Sequence, residues 1–127
     1  MKRPCDQVRA IKLLPYRIRQ NLPIIGSQHL RGKARVWAKC ATIDGSHAWY
    51  ACEGSARRNP NGEAVDYLLY GWVAGQERRL DYFWLSDLAA FRSPAGLPLV
   101  RDCCWKPRLL EEVAPELFQP QKEDAVR

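Results

Sequence analysis

The cysteines and histidines are the first candidates for chemistry, because the chain has five cysteines and two histidines. Asp44 and Gly45 are typical of a hairpin turn, and a hairpin there would bring Cys40 and Cys52 nearly opposite each other on one face of a sheet. His47 lies close to the turn, so these three side chains are candidate zinc ligands. No Cys-x-x-Cys spacing is present, and buried reduced cysteines are the commoner outcome. We therefore predict no metal and no cofactor, with Cys40, Cys52 and His47 kept as weak metal candidates.

The adjacent pair Cys103 and Cys104 could supply further ligands, but neighbouring cysteines are an awkward pair for a single ion. A nucleophilic cysteine would need a base beside it. The two histidines, His29 and His47, fall in a polar connector and near a turn, where a solvated histidine is the ordinary result. No catalytic cysteine is predicted.

Carboxylates offer a second kind of chemistry, because two or three that converge can hold magnesium for phosphodiester cleavage. The candidates, which could cluster at one edge of a sheet, are Glu53, Glu77, Asp81, Asp87 and Asp102. No spacing forces them together, and Asp87 suits the start of a helix. We predict no catalytic residues, and the enzymatic alternative is a metal-dependent nuclease or phosphatase that uses Glu53, Asp81 and Asp102.

Aromatic residues interleaved with basic ones are the third feature. The set comprises Trp37, Trp49, Tyr70, Trp72 and Phe83, with Lys39, Arg57, Arg58, Arg78 and Arg79. On an open sheet face they could stack the bases of a single strand, or they could anchor a protein interface, where Trp, Tyr and Arg dominate. Alternatively, both faces of the sheet are covered and the rings are core. The predicted partner contacts are Trp49, Tyr50, Trp72, Arg78 and Arg79.

Charge and composition bound the partner and the compartment. The net charge of +6 favours acidic partners, but the basic residues are scattered and solubility alone could explain it. An odd number of cysteines argues against a secreted disulfide framework. No signal peptide appears, and no window approaches the roughly 18 apolar residues of a membrane span. We predict a cytoplasmic protein without membrane contact.

The elements that would position these residues form a small α+β fold. The 127 residues suit a single domain, 1–127, with flexible tails at 1–10 and 119–127. Alternation and turn signals predict strands at 36–43, 47–53, 67–74, 79–85 and 99–105, and a surface loop at 54–65. Short helices are expected at 13–23, at 87–92 with Ser86 as N-cap, and at 108–118. The result is an antiparallel meander of four or five strands packed with short helices, in which Gly71 marks a bulge or a close approach of two backbones.

Several of these segments also resemble a known family. The matching pieces are LLP at 13–15, LP at 22–23, WYA at 49–51, YGWV at 70–73, DYFWLSDL at 81–88 and GLPLVRD at 96–102. Over residues 13–110 the chain resembles a family of small uncharacterised bacterial proteins of plasmids, phages and integrative elements, domain of unknown function 2958. Cys103 and Cys104 depart from the family pattern, in which bulkier residues are commoner. The resemblance implies accessory work for a mobile element and no defined activity.

Together these observations predict a non-enzymatic binding protein of a mobile genetic element. Its expected action is to occupy a surface on a host protein, such as a defence nuclease or a CRISPR effector, and so to inhibit or modulate it. The alternative is a single-stranded nucleic-acid-binding protein. The oligomeric state stays open.

Overall fold

A computed structural model describes residues 13–28 and 34–118. The predicted tails, 1–10 and 119–127, lie outside these residues, as does His29. The helices are α1 (Tyr16–Arg19), α2 (Leu85–Ala90) and α3 (Leu110–Val113), followed by a 3-10 turn at Pro115–Leu117. The strands are β1 (Arg35–Val36), β2 (Ala38–Ala41), β3 (Ala48–Arg58), β4 (Ala64–Ala74), β5 (Arg78–Trp84), β6 (Val100–Arg101) and β7 (Arg108–Leu109).

The main sheet has five strands in the order β5-β4-β3-β2-β6, and all of its strand pairs are antiparallel. Strands β2 to β5 follow one another as a meander, because short turns join each neighbouring pair. β1 and β7 form a separate two-stranded sheet. The predicted α+β class is confirmed. None of the helices in the described parts of the chain combines the length and the apolar character that crossing a bilayer requires.

Strand boundaries differ from the predicted ones mainly in the β3–β4 hairpin. Its arms run through most of the segment predicted as a loop at 54–65, so that the connection shrinks to 59–63. This shorter connection does form a turn: Gly62 has a positive φ, and the Asn59 side chain accepts the backbone N–H groups of Asn61 and Glu63. Continued pairing of Ser55, Ala56 and Arg57 across to β4 extends the ladder beyond them.

The start of helix α2 also differs from the prediction. The helix begins at Leu85, so Ser86 lies inside its first turn and is not the N-cap. The capping groups come from Asp66 on β4, whose carboxylate accepts the Ser86 backbone N–H at 3.2 Å and the Ser86 hydroxyl at 2.6 Å. A free N–H of the helix is thus satisfied by a residue twenty positions away in sequence.

Both faces of the main sheet carry a buried core. The first face packs Leu69 and Phe83 against Leu14 and helix α2, whereas the second packs Trp72 and Cys52 against helix α3. Alternate residues of each strand serve opposite faces, as in any β-strand. The predicted meander is therefore present, and helices cover part of each of its faces.

A bulge in β3 sets which side chains reach the second face. Ala51 pairs with Gly71 and Glu53 pairs with Tyr70, so Cys52 is an extra residue between them. A bulge of this kind lets two successive side chains share one face. At Gly71 the neighbouring strand comes so close that a Cβ would overlap the carbonyl oxygen of Tyr50. Of the two alternatives predicted for this glycine, the close approach is confirmed at Gly71 itself, and the bulge lies on the facing strand at Cys52.

Candidate binding surface

The candidate zinc ligands are not brought together. Cys40 pairs with Trp49 and belongs to the core of the first face, whereas Cys52 belongs to the core of the second face. The prediction that the two thiols share one face is wrong, because Cys52 lies three residues along β3 from Trp49, the partner of Cys40, and an odd offset along a strand leads to the opposite face. Within residues 13–28 and 34–118, no group of three or more His, Cys, Asp or Glu side chains is arranged to hold a metal ion.

The environment of these thiols also makes them poor ligands and nucleophiles. Burial raises the pKa of Cys40 to about 12, although the nearby Arg101 acts in the opposite direction. Burial, with a smaller contribution from the Glu53 charge, raises the pKa of Cys52 to about 12. Both thiols therefore stay protonated at neutral pH, and the thiolate is the form that reacts or binds metal.

The raised pKa values of Cys40 and Cys52 predict that the protein loses stability at alkaline pH. A thiol whose pKa is raised by folding contributes stability that is fully present below pH 9 and declines as the pH rises from 9 towards 12. The urea midpoint of the wild type should therefore fall between about pH 8 and about pH 10.5. It should fall less in a Cys40→Ala/Cys52→Ala variant than in a Cys104→Ala control. An equal fall in both variants would contradict the assignment.

His47 takes part in packing instead of metal binding. Its ring lies nearly parallel to that of Trp49, with centroids 6.3 Å apart, and 5.2 Å from that of Phe91. Nδ1 lies 2.9 Å from the hydroxyl of Ser46, which in turn donates to Asp44. These contacts fix the hairpin turn, and accepted hydrogen bonds from Ser46 and Thr42 lower the pKa of the Asp44 carboxyl.

The carboxylates proposed for magnesium are spread over the sheet. Asp81 lies on the edge strand β5, where its carboxylate forms an ion pair with Arg79 at 3.2 Å. Asp102 follows β6 at the opposite edge, and its carboxylate accepts the backbone N–H of Cys104. Glu53 lies on β3, between these edges. The expectation that Glu53, Asp81 and Asp102 could converge at one edge is wrong.

Glu53 has a structural environment of its own. It is 1% exposed, and its two carboxylate oxygens accept the backbone N–H groups of Gly26 and Gln28, each at 2.7 Å. The Gln28 side chain donates to the carbonyl of Cys52 and accepts the N–H of Arg35. The Glu53 carboxylate thereby holds the segment before β1 against the bulge of β3. Each of its two oxygens has a hydrogen-bond donor, as a buried carboxylate requires.

Of the five predicted partner contacts, Trp72 is the clearest correction, because it is 2% exposed and lies in the second core. A ring buried in this way cannot anchor a partner. Trp49 is half-buried against Phe91, with ring centroids 4.9 Å apart. Tyr50 is half-buried between the ring of Trp105 and the ammonium group of Lys39.

The two predicted arginines are exposed but already have partners. Arg78 pairs with Glu116 at 3.2 Å, and its guanidinium lies 6.0 Å from the Trp72 ring. Arg79 pairs with Glu77 at 2.8 Å and with Asp81. Exposed ion pairs of this kind contribute little stability, so both side chains remain available to a partner at small cost.

The broader aromatic set is divided between the faces rather than gathered on one. Trp37, Trp49 and Phe83 pack in the first core, whereas Trp72 packs in the second. Tyr70 belongs to the second face beyond the part covered by α3, where Tyr82 lies directly opposite it on β5. This is the part of the sheet where aromatic side chains reach the surface together.

We name Arg57, Tyr70, Tyr82 and Trp84 the aromatic surface. The Tyr70 and Tyr82 ring centroids are 4.4 Å apart, and Tyr82 is 55% exposed. Trp84 lies two residues further along β5 on the same face, with the Arg57 guanidinium 5.7 Å from its ring. Burial, followed by the charges of Tyr82, Glu53 and Asp81, raises the pKa of the Tyr70 phenol, which therefore stays neutral and can donate a hydrogen bond.

Tyr82 and Trp84 were missed as partner contacts, although a signal for them exists in the sequence. Leu80, Tyr82 and Trp84 alternate with Arg79, Asp81 and Phe83, and this alternation predicts that they share a face. That Leu80 packs in the second core and Phe83 in the first confirms the alternation. What the sequence lacks is the register that places Tyr70 opposite Tyr82.

Most of the net positive charge comes from residues outside the described parts of the chain. Eight of the 20 basic residues and three of the 14 acidic ones fall at 1–12, 29–33 and 119–127, which leaves 12 basic and 11 acidic residues in the described parts. The charges that act on Tyr70 include Glu53 and Asp81, both acidic. Negative charges beside Tyr70 repel a phosphate backbone and do not attract it.

Both edges of the main sheet are protected against pairing with another strand. On β5 the Asp81 carboxylate accepts the backbone N–H of Tyr82, its own neighbour, at 2.8 Å. The opposite edge, β6, has two residues. Short edge strands and charged edge residues are ordinary devices against strand addition. Recognition here would use side chains and not a shared ladder.

Comparison with known proteins gives no relative: no family model, no curated protein and no solved structure matches the chain. The resemblance to the mobile-element family stays a prediction. Function has to be inferred from the residues described above.

Proposed function

We propose that this chain is a non-enzymatic, cytoplasmic binding protein that occupies a surface of a host protein through its aromatic surface. The supporting observation is the exposed Tyr82 ring, paired with Tyr70 and next to Trp84, on a face that the second core covers elsewhere. An exposed aromatic ring that adjoins two half-buried ones forms a larger continuous patch than an isolated exposed side chain, and such patches commonly mark an interaction site.

The residue types of the aromatic surface, and the way they are held before binding, favour a high binding energy with a protein partner. Tyr, Trp and Arg are the residue types most enriched among the few contacts that carry binding energy. Tyr70 and Trp84 are half-buried, and Arg57 is already placed over the Trp84 ring. Side chains that are held before binding lose less conformational entropy when a partner arrives.

Single-stranded nucleic acid is the second candidate, because aromatic side chains on a sheet are also suited to stacking bases. The near balance of charge in the described parts and the two carboxylates that act on Tyr70 favour the protein partner. Phosphate recognition would call for a surplus of basic groups beside the rings.

The wider role is proposed from the family resemblance and not from the geometry. In that proposal the protein serves a mobile genetic element by inhibiting or modulating a host defence nuclease or a CRISPR effector. The mechanism would be steric: Tyr82 and its neighbours bury themselves against the target and cover the surface that the target needs.

Affinity capture with a matched pair of variants tests the proposal. Tyr82→Ser removes the most exposed ring of the surface, and Ile43→Ser removes a side chain that is 81% exposed in the β2–β3 turn. We expect a host protein that binds the wild type and the Ile43→Ser variant, and binds Tyr82→Ser at least about 30-fold more weakly, the loss typical of a dominant contact.

The same capture separates the two candidates. Binding to a protein should survive nuclease treatment and change by less than about tenfold between 50 and 200 mM salt, whereas several phosphate contacts would cost about a thousandfold. Nuclease-sensitive material, or a captured protein that binds Tyr82→Ser as well as the wild type, would overturn the proposal.

A further inference from the structure

Cys103 and Cys104 form a second feature that the binding surface does not use. Of the four described cysteines, all free, Cys40 and Cys52 are buried and these two are exposed. They occupy the middle of a tight turn in which the backbone N–H of Trp105 donates to the Asp102 carbonyl at 3.2 Å. The Asp102 side chain also accepts the N–H of Cys104 at 3.0 Å.

This turn presents both thiols to solvent from adjacent residues. The Cys103 thiol donates a weak hydrogen bond to the Arg101 carbonyl at 3.8 Å, and both cysteines are exposed. Each thiol belongs to an exposed residue and can change its rotamer about the Cα–Cβ bond. A shared site requires rotamers that turn the two sulfur atoms towards one small centre.

The number of ligands decides which centre fits. A structural zinc ion needs four ligands, and the described residues supply no group of three or more metal-binding side chains here. A trivalent arsenic atom that already carries one organic group needs two sulfur bonds to be complete. The pair therefore suits a two-bond thiophilic centre and not a zinc ion.

We propose that Cys103 and Cys104 form a dithiol site for trivalent organoarsenicals. In the reaction R–As=O gains two As–S bonds, the two thiol protons leave with the oxygen as one molecule of water, and no atom changes oxidation state. Closing the second bond within one chain gives the chelate an advantage that two separate thiols lack.

Phenylarsine oxide is the probe for this site, and mass spectrometry of the native full-length protein is the readout. We expect one adduct on the tryptic peptide 102–108, which contains both thiols. The adduct should resist an excess of a monothiol such as 2-mercaptoethanol and be removed by a dithiol such as 2,3-dimercaptopropanol.

Single-serine variants provide the matched comparison. Cys103→Ser and Cys104→Ser each leave one thiol in the same turn, and we expect either to bind the probe at least about 100-fold more weakly. Both positions are exposed, so the thermal midpoint should stay within about 2 °C of the wild type, which confirms that the fold is intact. Absence of an adduct on peptide 102–108 of the wild type, or equal binding by a single-serine variant, would overturn the proposal.

Discussion

Replacing Gly71 with alanine is expected to destabilise the protein by about 3 kcal/mol or more, or to prevent folding. The added Cβ would overlap the backbone carbonyl of Tyr50 on β3, and a backbone atom cannot rotate away as a side chain can. Gly71 also pairs with Ala51, the last residue before the bulge. The strain would therefore fall on the register that places Cys52 and Glu53 on the second face.

Gly75→Ala is the control for this prediction. A Cβ there would meet the His47 ring at 3.2 Å, and this side chain can yield by a few tenths of an ångström. We expect it to cost at most about 1 kcal/mol. Urea unfolding of both variants at constant slope gives the comparison. Equal stability of Gly71→Ala and Gly75→Ala would show that the two strands do not approach as described.

Glu53→Gln is expected to destabilise the protein by about 2–3 kcal/mol despite its nearly identical shape. Both carboxylate oxygens accept backbone N–H groups, from Gly26 and from Gln28. An amide offers one oxygen, so its NH₂ group would face one of these donors and leave a buried N–H without an acceptor. The remaining hydrogen bond would also lose its charge.

Glu63→Gln, at the exposed tip of the β3–β4 hairpin, makes the same chemical change outside the core and should alter the free energy of unfolding by less than about 0.5 kcal/mol. Local loosening should accompany the Glu53→Gln loss, with faster amide hydrogen exchange at Gly26 and Gln28. A Glu53→Gln protein as stable as Glu63→Gln would contradict the structural role of this carboxylate.

Local signals in the sequence predicted much of the fold. The Asp44–Gly45 turn and the alternation of 79–85 indicate strands and faces through contacts between near neighbours, and these predictions agree with the structure. Gly71 was predicted correctly because a glycine inside a strand has few structural reasons other than a bulge or a close approach.

The prediction that Cys40 and Cys52 share a face failed because the register between strands β2 and β3 differs from the assumed one. The backbone N–H of Thr42 donates to the carbonyl of His47 and closes the turn between β2 and β3. With the turn closed at these residues, Cys40 lies opposite Trp49. A shift of one residue in a hairpin turns every side chain to the other face. The sequence shows that a turn exists but does not determine its length to one residue.

The roles of Glu53 and Trp72 were out of reach for a different reason. Glu53 binds residues 25 and 27 positions away, and Trp72 is covered by helix α3 from the far end of the chain. No local pattern records such long-range docking. The same limit concealed the aromatic surface, which depends on the pairing of Tyr70 on β4 with Tyr82 on β5.

Site-specific crosslinking in host cells is the most direct test of the proposed protein interface. A photoreactive benzoylphenylalanine is placed at position 82 in one variant and at position 43 in another. Both positions are exposed, but position 82 lies in the aromatic surface and position 43 lies outside it. We expect irradiation to join position 82 to one host protein, and position 43 to yield no such product. A position-82 product with nucleic acid, or the same protein captured equally from both positions, would contradict the proposed function.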